Sequence, residues 1–87
     1  MFRVVWLQPA LNELAEIWMR VDSGRRLAVN AAAQAIDAEL LTDPQNAGES
    51  RPGGRRVLFH APLGATFEIR TAGVVRVLHV WDYWPRG

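Results

Sequence analysis

Three apolar runs, Arg56–His60, Ala65–Arg70 and Val74–Trp81, fill the last third of the chain with only short connections between them. Connections that short join antiparallel neighbours, because a parallel pairing needs a crossover of a dozen residues or more. This part of the chain must therefore fold as adjacent strands of one sheet. Val57 and Phe59 alternate with Arg56 and His60, and Phe67 and Ile69 alternate with Thr66, Glu68 and Arg70. That period of two predicts a buried face carrying Val57, Phe59, Phe67 and Ile69 and a second face that is partly wet. The last run, VVRVLHVW, is apolar at both parities and reads as a central strand.

The N-terminal half changes period. FRVVWL (2–7) is β-branched and aromatic and stops at Gln8-Pro9, which makes it a first strand. Leu11, Leu14, Ala15, Trp18 and Val21 then recur at helical spacing, predicting a helix from about residue 9 to 21 with proline in its first turn. VDSG interrupts it, and Asp22 or Ser23 is placed to cap a second helix, RRLAVNAAAQAIDAELLT. Leu27, Ala31, Ala35, Ala38 and Leu41 form its expected core stripe, with alanines small enough for close approach to the first helix. Asp43-Pro44 ends it, and DPQNAGESRPGG (43–54) reads as a long loop. The expected fold is α+β in the order β-α-α-β-β-β: a helical hairpin on one face of a small, mainly antiparallel four-stranded sheet, one domain over 1–87.

Several chemistries are excluded by what is missing. There is no cysteine, hence no disulfide, thiol nucleophile or thiolate metal site. No glycine-rich phosphate loop, dinucleotide fingerprint or His-Glu-x-x-His pattern occurs, and the only serines, Ser23 and Ser50, lie in expected turns. His60, His79 and Asp82 lack a tight ligand spacing, so neither a metal nor a cofactor is expected. No apolar run has signal-peptide or membrane-spanning length, and the expected setting is cytoplasmic and away from membranes. A net charge of +1 supplies no overall field toward nucleic acid. All ten basic residues are arginine, which suits phosphate recognition and equally follows from a GC-rich coding sequence.

Three groups of residues remain that could carry function. Arg51, Arg55 and Arg56 flank Gly53-Gly54, so their guanidinium forks could reach phosphates; they could equally be solvated loop charges. His60 and His79 are suited as a residue type to proton transfer near neutral pH, or are polar residues tolerated on strands. In the tail, HVWDYWPRG, aromatic rings could stack on bases, close the core or form an apolar edge for a partner. Of these, Trp81 is assigned to the core and Trp84 to partner contact.

The order of elements, together with FRVVWLQPALNELAEIW, RRVLFHAPLGATFEIR and VVRVLHVWDYWP, resembles the RelE/ParE superfamily of bacterial toxins from type II toxin–antitoxin (plasmid stabilization) systems. The resemblance covers essentially the whole chain, and its most specific part is the strand pair LGATFEI and VVRVLHV. It implies a toxin that cleaves mRNA on the ribosome, through attack of a ribose 2′-hydroxyl on the adjacent phosphate, or one that acts without catalysis on DNA gyrase. A degenerate member that only binds its antitoxin is a further alternative. In either branch a cognate antitoxin wraps the toxin with an apolar segment. Carried over residue by residue, the resemblance matches Arg55 and Arg56, with Tyr83 and Arg86 standing in at the tail; a nuclease would add His79 or His60 as proton shuttle, so Arg55, Arg56, His79 and Tyr83 are the catalytic candidates. Arg51, His60, Trp84 and Arg86 become candidates for contact with RNA or partner. The arginine that such nucleases often carry at the start of the third strand falls at Gly64. Two helices and a small sheet offer little cover for this much Trp, Ala and Leu, so an exposed apolar surface, covered by an antitoxin or by self-association, is also expected.

Overall fold

The structure, a computed structural model, describes residues 2–85 of the 87. Strand β1 (Arg3–Trp6) leads into helices α1 (Gln8–Arg20) and α2 (Ser23–Thr42). Four strands follow: β2 (Glu49–Arg51), β3 (Arg55–His60), β4 (Leu63–Arg70) and β5 (Val74–Asp82). The sheet order is β1-β5-β4-β3-β2, with β1 parallel to β5 and every other pairing antiparallel. This is the expected α+β class, and β5 is an inner strand, as its two-sided apolar character requires.

The strand count differs by one. β2 lies in the segment read as loop, and its residues, Glu49, Ser50 and Arg51, are all exposed and polar. No alternation marks such an edge strand; it exists because β3 and Arg56 hold it. The Arg56 guanidinium donates to the Ala47 and Gly48 carbonyls at 3.0 and 3.3 Å and to Ser50 Oγ at 2.8 Å. Gly48, at φ +63°, passes against the Val57 carbonyl with no room for a Cβ.

Helix ends fall where the sequence places them. The Asp22 carboxylate accepts from the Arg25 N–H at 2.9 Å, and α2 stops just before Asp43-Pro44. The buried faces do not. In α2 the core residues are Val29, Ala32, Ile36 and Leu40, while Leu27 is 72% exposed and Ala31, Ala38 and Leu41 also face outward. A helix apolar on most sides does not declare its orientation. Burial free energy follows apolar area, so the stripe with Val, Ile and Leu takes the core ahead of the alanines. In α1, Ala10 and Ile17 are buried, whereas Leu11 and Trp18 face out. The alanines do not draw the helix backbones together either: α1 packs on β5, α2 packs on β3, β1 and β4, and Arg26 of α2 reaches Trp18 of α1 by its side chain.

In β3 the faces are also reversed from expectation. Leu58 is buried beneath α2 and Phe59 is 53% exposed, which turns Arg56 and His60 to the helix side. Those polar residues are tolerated there because each finds a partner, Arg56 as above and His60 at Glu39 of α2. β4 follows the expected phase, with Leu63, Ala65 and Phe67 buried. β5 carries a bulge: Thr66 pairs with His79 but Phe67 with Val77, leaving Leu78 as the extra residue. The bulge lets Val75, Val77 and Val80 all reach the core, where Phe67, Ile36, Leu40 and Leu63 are the largest fully buried side chains.

Candidate functional site

The sheet face turned away from the helices is uncovered, and the register arranges its side chains in rows across the strands. Residues directly opposite on neighbouring strands share a face. One row is Phe59, Gly64 and Trp81. The next is Glu49, Val57, Thr66 and His79, and the third is Arg51, Arg55, Glu68, Arg76 and Val5. Successive rows on one face lie about 7 Å apart, two residues along a strand.

The first row is aromatic. The Trp81 indole lies against Gly64 so closely that a Cβ there would stand 2.5 Å from the ring. Phe59 meets Trp81 edge-to-face at 6.0 Å between centroids and meets Tyr83 at 5.6 Å. Tyr83 is held by its own backbone, whose N–H donates to the Pro62 carbonyl at 2.8 Å. The third row is cationic. Glu68 accepts from Arg70 at 3.2 Å and lies 3.4 Å from Arg76, and Arg51 pairs with Glu49 at 3.2 Å. Arg55 sits in the same row with no hydrogen-bond or ion-pair partner among the described residues.

His79 stands between the two rows, at the edge of β5 beyond the end of β1. Its Nδ1 lies 3.3 Å from both carboxylate oxygens of Glu13 in α1. Glu13 Oε1 also accepts from the Val80 N–H at 3.1 Å. That amide faces the side where β1 has already ended, so a helix carboxylate replaces the missing strand partner.

The sequence-derived candidates are thus divided. Arg51, Arg55, His79 and Tyr83 share the open sheet face. Arg56 lies on the helix side, its guanidinium committed to the Ala47–Ser50 segment. His60 Nε2 lies 2.6 Å from Glu39 Oε1, likewise on the helix side. Trp84 and Trp81 exchange their expected places. Trp84 packs against the core, donates to Asp82 at 2.9 Å and has the Arg25 guanidinium 5.2 Å from its ring centroid, whereas Trp81 lies on the open face. Arg86 lies outside the described residues. Phe59, Glu13 and Glu68 were not among the candidates. Phe59 was assigned to the core by the wrong strand phase, and nothing local in the sequence links Glu13 to His79, 66 positions away.

A second surface lies between the helices. Because the two helix backbones stand apart over the sheet, an open groove of two adjoining sections, ≈ 390 and ≈ 480 Å³, runs between them. Its lining includes Trp6, Leu11, Leu14, Trp18, Met19 and Leu41. Leu11, Leu14, Ala15, Trp18, Ala38 and Leu41, all from the apolar stripes read in the sequence, thus line this groove. No helix among the described residues is long and apolar enough to cross a membrane, and they contain no cluster of metal-ligating side chains.

No protein-family model matches the chain, and no curated protein matches it. Solved structures do. A chain of the RelBE2 toxin–antitoxin complex from Mycobacterium tuberculosis aligns with a TM-score of 0.74 at 16% identity, over 97% of this chain and 93% of that one. A chain of the intact Escherichia coli RelBE toxin–antitoxin complex aligns with a TM-score of 0.61 at 16% identity, over 99% of this chain and 100% of that one. The fold is therefore that of the RelE-like toxins.

Proposed function

We propose that this chain is the toxin of a toxin–antitoxin pair and that it cleaves messenger RNA on the ribosome with its open sheet face. The supporting observation is the order of rows on that face: aromatic rings, then Thr66 and His79, then arginines. Single-stranded RNA needs both ends of such a surface. Its bases stack on Trp81, Phe59 or Tyr83, and its phosphates meet the arginine row. In the reaction the ribose 2′-oxygen attacks the adjacent phosphorus, its proton passes to an acceptor, and the 5′-oxygen leaves with a proton from a donor. The products are a 2′,3′-cyclic phosphate and a 5′-hydroxyl end. Arg55, the unpaired cation of its row, stabilises charge on the phosphate. His79, oriented by Glu13, accepts the 2′-hydroxyl proton, and Tyr83 stacks on a base. The interhelical groove receives the apolar segment of an antitoxin.

A second reading has a specific observation in its favour. Trp81 fills the space over Gly64, so the aromatic row carries no cation, and His60 is turned to α2. An open face with a single histidine and no cation in its aromatic row also fits a non-catalytic toxin directed at DNA gyrase, or a chain that only binds its antitoxin.

The toxin role is tested by inducing the chain in bacterial cells that lack its partner. Growth should stop, should resume when a cognate antitoxin is co-expressed, and should continue in the Arg55→Ala variant. Unimpaired growth with soluble wild-type protein accumulating would contradict it.

A further inference from the structure

We infer that the partner segment seated in the interhelical groove carries a basic side chain, and that Asp37 is the group that selects it; this rests on the groove being the antitoxin's seat. The groove lining is apolar apart from a few polar groups, of which Asp37 alone is charged. One of its carboxylate oxygens, Oδ1, accepts from the Trp6 indole N–H at 3.1 Å, which fixes the carboxylate at the groove's Leu41 end. No arginine or histidine among the described residues pairs with it, although Glu13, Glu39, Glu49 and Glu68 each have such a partner. The chain thus presents a held, half-buried and uncompensated negative charge beside apolar surface.

Covering that charge has a definite consequence. A wholly apolar segment laid in the groove would strip water from the carboxylate and return nothing, a penalty that falls directly on affinity. A Lys or Arg at that point replaces the lost hydration with a charge-assisted hydrogen bond, and partly buried pairs of this kind are much stronger than exposed ones. Beside the opposite end of the groove, outside its lining, stands the reverse sign. Arg26 lies over the Trp18 ring at 4.2 Å, with its Nε donating to the Trp18 carbonyl and no carboxylate partner among the described residues. Arg26 and Asp37 are eleven positions apart in α2, about 16 Å along the helix. The groove therefore favours a base at the Asp37 end and disfavours one at the Arg26 end. Its occupant is an amphipathic segment with an apolar stripe and one basic residue near one end.

The test is a display selection of 18-residue amphipathic helices, with a fixed leucine stripe and randomised flanking positions, against the intact wild-type chain and against Asp37→Asn. Asparagine keeps the acceptor for the Trp6 N–H, and circular dichroism checks that the variant is folded. Wild type should enrich Lys or Arg at one flanking position, and Asp37→Asn should enrich neither. Replacing that base by glutamine in one selected peptide should weaken binding about tenfold to wild type and less than about twofold to Asp37→Asn. Enriched helices without a basic preference, or a preference that survives in Asp37→Asn, would overturn the role of Asp37 and leave the groove as the partner's seat. If no helix is enriched, or if Leu11→Arg and Leu41→Arg bind the selected helices as well as wild type, the groove is not the seat and the inference falls with it.

Discussion

The Trp81 indole occupies the space that a side chain at Gly64 would need, with a built Cβ only 2.5 Å from the ring. The contact leaves no room for a cation at that register position. Any residue larger than glycine must displace a ring that also meets Phe59 edge-to-face. Gly64→Ala should therefore lower stability by about 1–3 kcal/mol, the range for overpacking, read from urea unfolding. An unchanged midpoint would mean that the ring moves aside at no cost.

Arg55 and Arg56 are adjacent in sequence and lie on opposite faces of β3. Arg56 joins β3 to the Ala47–Ser50 segment through three hydrogen bonds. Arg56→Ala should therefore lower stability by about 1–3 kcal/mol, whereas Arg55→Ala should change it by no more than about 0.5 kcal/mol. Denaturant titration of the two single variants separates them. Loss of toxicity on replacing both arginines would confound fold with function, so Arg55→Ala is the informative substitution.

Glu13 is expected to matter to the fold as well as to His79. Its carboxylate accepts the Val80 N–H where β5 has outrun β1. Glu13→Leu leaves that amide without a partner and should cost about 1–3 kcal/mol, while Glu13→Gln retains an acceptor and should cost less. Hydrogen exchange at Val80 provides the local readout, with faster exchange expected in Glu13→Leu and near-native exchange in Glu13→Gln.

The aromatic row should bind single-stranded RNA by stacking. Phe59→Ala should weaken binding of a short fluorescent oligoribonucleotide by about 1–3 kcal/mol per lost stack. Raised salt should weaken the wild type further, through loss of phosphate contacts. Equal affinity for wild type and Phe59→Ala would place RNA elsewhere on the molecule.

The element order, the helix ends and the inner position of β5 were legible because proline, the Asp22 cap and short strand connections act locally. Side-chain facing was less so. In β3 the run Val57-Leu58-Phe59 is apolar at three successive positions, so strict alternation fits either phase, and the burial of Leu58 under α2 decides it. In α2, alanines spread over several faces, and which stripe is buried depends on the strands it meets. The bulge at Leu78 and the edge strand at Glu49–Arg51 arise from pairing with distant segments, so neither leaves a local signature. Of the residues on the open face, Arg55 and Tyr83 were named from position and residue type. Phe59 was hidden by the phase of β3, and the commitment of Arg56 to three local partners is a property of the folded loop.

The most direct test of the sheet face as a ribonuclease surface is to map new RNA 5′ ends across the transcriptome shortly after the chain is induced without its antitoxin. New 5′-hydroxyl ends should appear inside translated messages, depend on active translation and disappear in Arg55→Ala. An unchanged 5′-end map while growth arrests would contradict RNA cleavage and leave the non-catalytic toxin as the reading to pursue.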